Sequence, residues 1–146
     1  MNKLSRLVLG VACVSMLAGC AKSVTAEEAV KIANENWSIE KANAAGYTKV
    51  HVVNKYSDSS KNEEHDASGA AMSLVITALV PINLVAVNAA AAIEGVSFKA
   101  DGTALEFSYS DKDGKYDYKI NGVGLTTYVK SVAGNDWSET SYTWYK

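Results

Sequence analysis

The second half of the chain alternates apolar and polar residues with a period of two, a pattern typical of half-buried β-strands. The alternating stretches begin at Ala104, Lys115, Leu125 and Ser138, and residues 96–100 are counted as a further short strand before them. Turn residues separate them, among them the Asp-Gly pair at 101–102 and the Asn-Gly pair at 121–122. Tyr116, Tyr118 and Ile120 fall on one face of residues 115–120. The pattern predicts an antiparallel meander of about five strands.

The first half begins with apolar residues at helical spacing. Thr25 and Glu28 stand three positions apart, as in a capping box, and the apolar residues that follow fall mostly on one side: Ala29, Val30, Ile32, Ala33 and Trp37. Gly46 is the expected end of this helical region. Residues 47–56 are rich in β-branched and aromatic side chains and predict a strand, whereas residues 57–69 are polar and predict a loop.

The middle of the chain contains 27 consecutive residues without a charge, residues 67–93. Its length and its alanine-rich end favour a helix. Ser73, Thr77 and Asn88 fall within one narrow arc of that helix, so we expect a sheet to cover most of its surface. The sequence leaves three alternatives open: a pair of strands with Pro81 in the turn between them, a membrane span, or the wall or lid of a lipid cavity.

These patterns predict an α+β fold. In it, an N-terminal helix and a central apolar helix pack on a curved antiparallel β-meander. The length of the chain suits one domain with a substantial core, which we assign to residues 25–146.

The N-terminus has the pattern of an export signal. Lys3 and Arg6 precede 11 residues without a charge, residues 7–17, a length typical of a secretory apolar segment and too short to span a bilayer. The segment ends in Leu17-Ala18-Gly19-Cys20, which resembles the lipobox of bacterial lipoproteins. The alternative is an ordinary or uncleaved apolar leader in which Cys20 is incidental.

The lipobox resemblance has definite consequences for the mature protein. It implies a signal peptide over residues 1–19, cleavage between Gly19 and Cys20, and a diacylglycerol on the Cys20 thiol. Residues 20–24 would then form the lipidated cysteine and a short tether. The protein would lie outside the cytoplasm, held on the cell membrane or outer envelope by its acyl chains.

Charge and cysteine content narrow the classes of function. Removing residues 1–19 also removes Lys3 and Arg6, which leaves 12 basic residues against 16 acidic ones. This acidic excess argues against a nucleic-acid partner, which requires a basic surface. Cys20 would be the one cysteine left, so neither a disulfide nor thiol chemistry is expected.

The remaining sequence contains no recognisable catalytic or metal-binding motif. It lacks the G-x-S-x-G and H-E-x-x-H patterns of hydrolases and zinc proteases. His51 lies in a predicted strand, and the Glu63-Glu64-His65-Asp66 run lies in a predicted loop without the rigid frame that metal ligands need. We therefore expect no enzymatic activity, no cofactor and no metal.

Two further resemblances cover longer stretches. Residues 24–37 resemble the opening helix of PepSY domains, small modules proposed to restrain secreted proteases, although the Asp-x-x-Thr-Gly strand end of that family has no counterpart here. The order of lipobox, helix, apolar middle and Tyr/Thr-rich meander, with residues 118–128 leading into the last strands, is similar to small lipoproteins of low-GC Gram-positive bacteria. Their sheets resemble, in outline, the half-open barrels of lipoprotein-carrier proteins.

The sequence thus predicts a membrane-anchored, non-enzymatic binding or surface-interaction module. Its candidate binding surface is a tyrosine stripe formed by Tyr116, Tyr118 and Tyr128. One alternative is a carrier of lipid or another amphiphile whose cavity is lined by residues 67–93. A second alternative is a PepSY-like module that restrains proteases. The membrane, reached through the lipid on Cys20, is the one partner that the sequence indicates.

Overall fold

A computed structural model of the protein describes residues 21–146. The predicted signal peptide, the cleavage position between Gly19 and Cys20, and the lipidation of Cys20 lie outside the described residues.

The described chain forms an eight-stranded antiparallel sheet with helices packed against it, which confirms the predicted α+β class. The strands are β1 (Lys22–Val24), β2 (Lys49–Tyr56), β3 (Glu63–Ser68), β4 (Phe98–Asp101), β5 (Ala104–Asp111), β6 (Gly114–Ile120), β7 (Thr126–Ala133) and β8 (Asp136–Tyr145). Across the sheet their order is β1-β4-β5-β6-β7-β8-β2-β3. The helices are α1 (Ala26–Asn36), α2 (Ile39–Ala44) and α3 (Ala70–Ala91), with one 3-10 turn at Ser59–Lys61.

The predicted meander is present as strands β4 to β8. Each pairs with the next in an antiparallel ladder, because short turns join neighbouring strands. Strand β2 then pairs with β8, and β3 pairs with β2. The first half of the chain therefore extends the sheet at one end, while β1 pairs with β4 at the other.

Two short segments differ from their predicted state. Residues 57–69 were expected to be a loop, but β3 lies within them because its backbone pairs with β2, from Lys49 opposite Ser68 to Asn54 opposite Glu63. The stretch expected as a tether likewise contains β1, in which Lys22 lies opposite Ala100. Neither segment has the apolar alternation of a strand, and edge strands of this kind form because a partner backbone is available.

The capping box at the start of α1 is confirmed. The amide of Glu28 donates to Thr25 Oγ1 at 3.1 Å, and the amide of Thr25 donates to Glu28 Oε1 at 2.8 Å. These hydrogen bonds lower the pKa of Glu28, mainly through the backbone amide of Thr25. The helical region then divides into two helices, because the Ser38 side chain caps α2 by accepting from the amide of Lys41.

The uncharged middle of the chain forms one helix, α3, so the prediction of a helix is confirmed and the strand pair is excluded. Its inner face packs on the sheet. The expectation that most of its surface is covered is wrong, because only 33% of its most apolar 18-residue stretch is buried. Leu74, Val85 and Ile82 are 73%, 69% and 56% exposed. By length and composition α3 could cross a membrane, but here its inner face contributes to both clusters of the core.

The core lies between the helices and one face of the sheet, in two clusters. One joins α1 and the C-terminal half of α3 to β4, β5 and the end of β6, around the fully buried Phe98 and Leu105. The other joins α2 and the N-terminal half of α3 to β2 and Leu125. Together the two clusters give residues 21–146 a core that spans both halves of the sheet.

The turn between β6 and β7 makes a close approach to the end of α1. Gly124 has a φ of +95°, and a Cβ at this position would lie 2.8 Å from the Cβ of Trp37. Trp37 is buried, and its Nε1 donates to the carbonyl of Thr103 at 2.8 Å. Only glycine combines this backbone conformation with the space that the indole ring requires.

Candidate binding surface

The sheet has one face under the helices and one uncovered face. Alternate residues of a strand point to opposite faces. Side chains such as Phe98, Leu105 and Ile120 therefore turn inward, while their neighbours Lys99, Glu106 and Lys119 turn outward. We call the outward side the open face. No helix of residues 21–146 packs on it.

Charges of opposite sign alternate across the strands of the open face. One row runs from Lys99 through Glu106 to Lys119 and ends against Tyr128. The next row runs across four strands in the order Asp117, Lys130, Glu139 and Lys55. Oppositely charged neighbours in such rows stabilise the sheet by roughly 0.2–1 kcal/mol per pair. These two rows therefore present both signs of charge side by side.

A shallow groove of about 540 Å³ lies on this face. Polar and charged residues line most of it: Ser97, Lys99, Glu106, Ser108, Asp117, Lys119 and Tyr128, with Gly95, Phe107 and Tyr118 completing the lining. In its floor the Ser108 hydroxyl donates to Asp117 Oδ1. A groove of this composition suits a polar partner that presents hydrogen-bonding groups.

Tyr128 is the aromatic residue of this groove whose side chain belongs to the open face. Its hydroxyl donates to Glu139 Oε2 at 2.5 Å, and Lys119 Nζ lies 5.7 Å from the centre of its ring. Desolvation, the hydrogen bond to Glu139 and the nearby carboxylates raise the pKa of Tyr128 to about 12. The single O–H of the phenol is donated to Glu139, so the hydroxyl is held in place and offers a partner only its oxygen as an acceptor.

The other two tyrosines of the predicted stripe lie on the opposite face. Tyr118 stands across from Phe107, with ring centres 5.1 Å apart, and Tyr116 stands across from Tyr109 at the same distance. Desolvation raises the pKa of both Tyr116 and Tyr118. They extend the core as an aromatic ladder beside the helices.

The three tyrosines therefore do not form one surface. In the β6–β7 ladder Tyr128 pairs with Lys119, one position beyond Tyr118, so it shares the face of Lys119. The structure brings Tyr128 together with Lys99, Glu106 and Asp117, none of which the sequence analysis proposed as a binding residue. Each of them occupies a polar position of an alternating strand, and this pattern could have suggested that they share an exposed face. Sequence does not show, however, which face of the sheet the helices cover.

His51 forms ion-pair contacts on the open face near the sheet edge. Its Nδ1 lies 2.5 Å from Asp66 Oδ1, and its Nε2 lies 3.3 Å from Glu64 Oε1. The hydrogen bond to His51 is the main cause that lowers the pKa of Asp66. The acidic run is therefore part of a paired strand. Within residues 21–146 no group of three or more His, Cys, Asp or Glu side chains is placed to hold a metal ion.

Residues of α3 line none of the five main surface depressions of residues 21–146, which measure about 240–540 Å³. The inner side chains of α3 are instead packed into the two core clusters. No observation on the described chain therefore favours a lipid cavity lined by residues 67–93.

Comparison with known proteins gave no relative. No protein-family model, no curated protein and no solved structure matches this chain. Its function must be inferred from its own residues.

Proposed function

We propose that this protein is a membrane-anchored, extracytoplasmic lipoprotein that binds another envelope protein through the open face of its sheet, without catalysing a reaction. The observation that carries the proposal is the uncovered sheet face with its alternating charges, its groove and the fixed phenol of Tyr128.

The lipobox supports the anchoring part of the proposal. Cys20 stands two residues before β1, which pairs with β4. Two extended residues span about 7 Å. Acyl chains on Cys20 would consequently hold the folded body directly against the membrane surface.

The charge pattern supports a protein partner. Rows such as Lys99–Glu106–Lys119 complement a surface that itself carries both signs. Such complementarity gives specificity and orientation rather than bulk attraction. Lys130 Nζ lies 5.5 Å from the ring centre of the partly exposed Trp137, which adds an aromatic contact at the rim of the face.

The test uses the full chain, expressed in a bacterium that processes lipoproteins, with a photo-cross-linking amino acid at Lys119 on the open face. We expect the protein in the membrane fraction and a discrete cross-linked protein adduct. The matched control carries the same amino acid at Lys31, an exposed position of α1, and should give no such adduct. Mass spectrometry should find an acyl mass on Cys20 of the parent chain and none in Cys20→Ala.

Either of two results would refute the proposal. Equal adducts from positions 119 and 31, or none from position 119, would remove the binding role of the open face. The absence of an acyl mass on Cys20 of the parent chain would remove the lipid anchor.

A further inference from the structure

The outer side of α3 carries an apolar stripe that the described fold leaves in solvent. Its members recur every three or four residues: Ala71, Leu74, Ala78, Ile82, Val85 and Ala89. We call this set the outer stripe. At 1.5 Å per residue it is about 27 Å long. Contiguous exposed apolar surface of this kind marks an interaction site more often than chance exposure does.

The outer stripe points away from the sheet. The buried residues Met72, Ile76, Val80, Asn83 and Val87 follow the same helical period on the opposite side of α3. The stripe and the open face therefore form the two opposite surfaces of the molecule. An occupant of the stripe would not cover the groove near Tyr128.

The segment that carries the stripe has no charged residue. Residues 67–93 contain no Asp, Glu, Lys or Arg, and the side chains beside the stripe are the neutral Ser73, Thr77 and Asn88. Neutral hydroxyl and amide groups beside an apolar strip can remain hydrogen-bonded at the level of lipid headgroups. The outer stripe offers no charged group that could orient a partner protein.

The dimensions of the stripe favour a lipid surface over a second copy of the chain. Three large side chains and three alanines on one helix offer much less than the roughly 800 Å² per partner of a specific interface. A lipid surface requires no such minimum, because each apolar side chain that enters it contributes separately, and a tether adds to the binding. The proposed anchor at Cys20 supplies that tether, and β1 joins it to β4, whose Phe98 packs in the same core cluster as Val87 and Ala90 of α3.

We propose that the outer stripe of α3 lies in the interfacial layer of the membrane that carries the Cys20 lipid, with phospholipid as its occupant. The orientation rests on the proposed anchor, but the affinity of the stripe for lipid does not. In this arrangement the anchor and α3 fix the domain at two places, and the open face points away from the membrane.

The uncharged stripe predicts an unusual lipid dependence. Interfacial helices commonly use Lys and Arg to bind anionic lipids, and α3 has neither. The acidic excess of the chain outside the leader further disfavours an anionic surface. Binding should therefore be as strong on neutral phosphatidylcholine as on mixtures with phosphatidylglycerol, or stronger.

The test uses residues 21–146 without lipid and flotation with phosphatidylcholine vesicles. We expect the protein to float with the vesicles. The double variant Leu74→Gln/Val85→Gln should lower its partition coefficient by about tenfold or more, because two exposed apolar side chains no longer enter the lipid interface. Tyr145→Thr, which removes an exposed apolar side chain from β8, is the matched control and should float like the parent.

Circular dichroism and thermal unfolding should show that all three proteins are folded. Protein that stays in solution as a monomer would overturn the proposal, as would dimerisation through the stripe without flotation. Flotation that requires anionic lipid or is insensitive to Leu74→Gln/Val85→Gln would also overturn it. Because this protein lacks the anchor, such a result is distinct from a failure of Cys20 lipidation.

Discussion

Tyr128 illustrates how a single residue acquires its role from neighbours distant in sequence. Its ring lies between Lys119 of β6 and Glu139 of β8, which are adjacent only because three strands pair in register. Burial and the carboxylate of Glu139 both favour the neutral phenol. The sheet itself thereby holds the neutral phenol at the groove.

We predict that Tyr128 ionises near pH 12. Because the folded pKa lies above the value of about 10 expected for an unfolded tyrosine, the stabilising contribution is fully present below pH 10 and is lost as pH rises from 10 towards 12. Absorbance titration at 295 nm should show late-ionising tyrosines, and Tyr128→Phe should remove one of them. Tyr109, whose pKa burial also raises to about 12, remains as the internal control.

Glu139→Gln tests the cause of this shift. The variant retains an oxygen acceptor but lacks the negative charge, so the pKa of Tyr128 should fall towards its ordinary value. An unchanged titration curve would contradict the assigned role of Glu139.

At the scale of elements, the docking of α3 depends on one buried amide. Asn83 is fully buried, and its Nδ2 donates to the carbonyl of Gly124 at 2.7 Å and to Thr126 Oγ1 at 2.9 Å. These bonds connect the middle of α3 to the β6–β7 turn. They also place the helix at a defined position along an otherwise apolar contact.

We predict that Asn83→Ala lowers the free energy of unfolding by about 1–3 kcal/mol, because it leaves a buried carbonyl and a buried hydroxyl without their partner. Urea unfolding followed by far-UV circular dichroism measures the change. Asn88→Ala is the matched control, since Asn88 is exposed and bonds only to the carbonyl of Leu84 in its own helix. It should change stability by less than about 0.5 kcal/mol. Equal effects of the two substitutions would show that Asn83 does not anchor α3.

At the scale of the whole molecule, the fold is two layers with unlike outer surfaces. The helix layer exposes an uncharged stripe, and the sheet exposes a charged face. The space between the layers is filled by the two core clusters. This arrangement suits a tethered domain that contacts lipid through α3 and a partner through the open face. It suits a carrier with an internal lipid cavity less well.

We predict that residues 21–146, made in cells with membranes, give a native mass spectrum of the bare chain. A lipid docked on an open stripe is lost when the membrane is removed, whereas a lipid enclosed in a cavity is retained. A stoichiometric lipid adduct would contradict the packed core and restore the carrier alternative.

Much of the fold follows from local pattern. The capping box of Thr25 and Glu28 marks the start of α1. The alternation in β5 and β6 indicates strands, and the long uncharged run indicates the helix α3. The lipobox is local in the same way. For the candidate binding surface, the sequence grouped Tyr128 with two tyrosines of the other face, because a register between strands is not a local property.

The sequence by itself therefore determined the type of most elements, the α+β class and the expectation of a lipid anchor at Cys20. Tertiary structure alone decided that β3 pairs with β2, that β1 joins the sheet, and that Lys99, Glu106 and Lys119 share a face with Tyr128. It also left the outer stripe of α3 uncovered. The physical reason is that the spacing of apolar residues along a helix or strand specifies which side chains prefer burial. Which of them are buried depends on the other elements that pack against it.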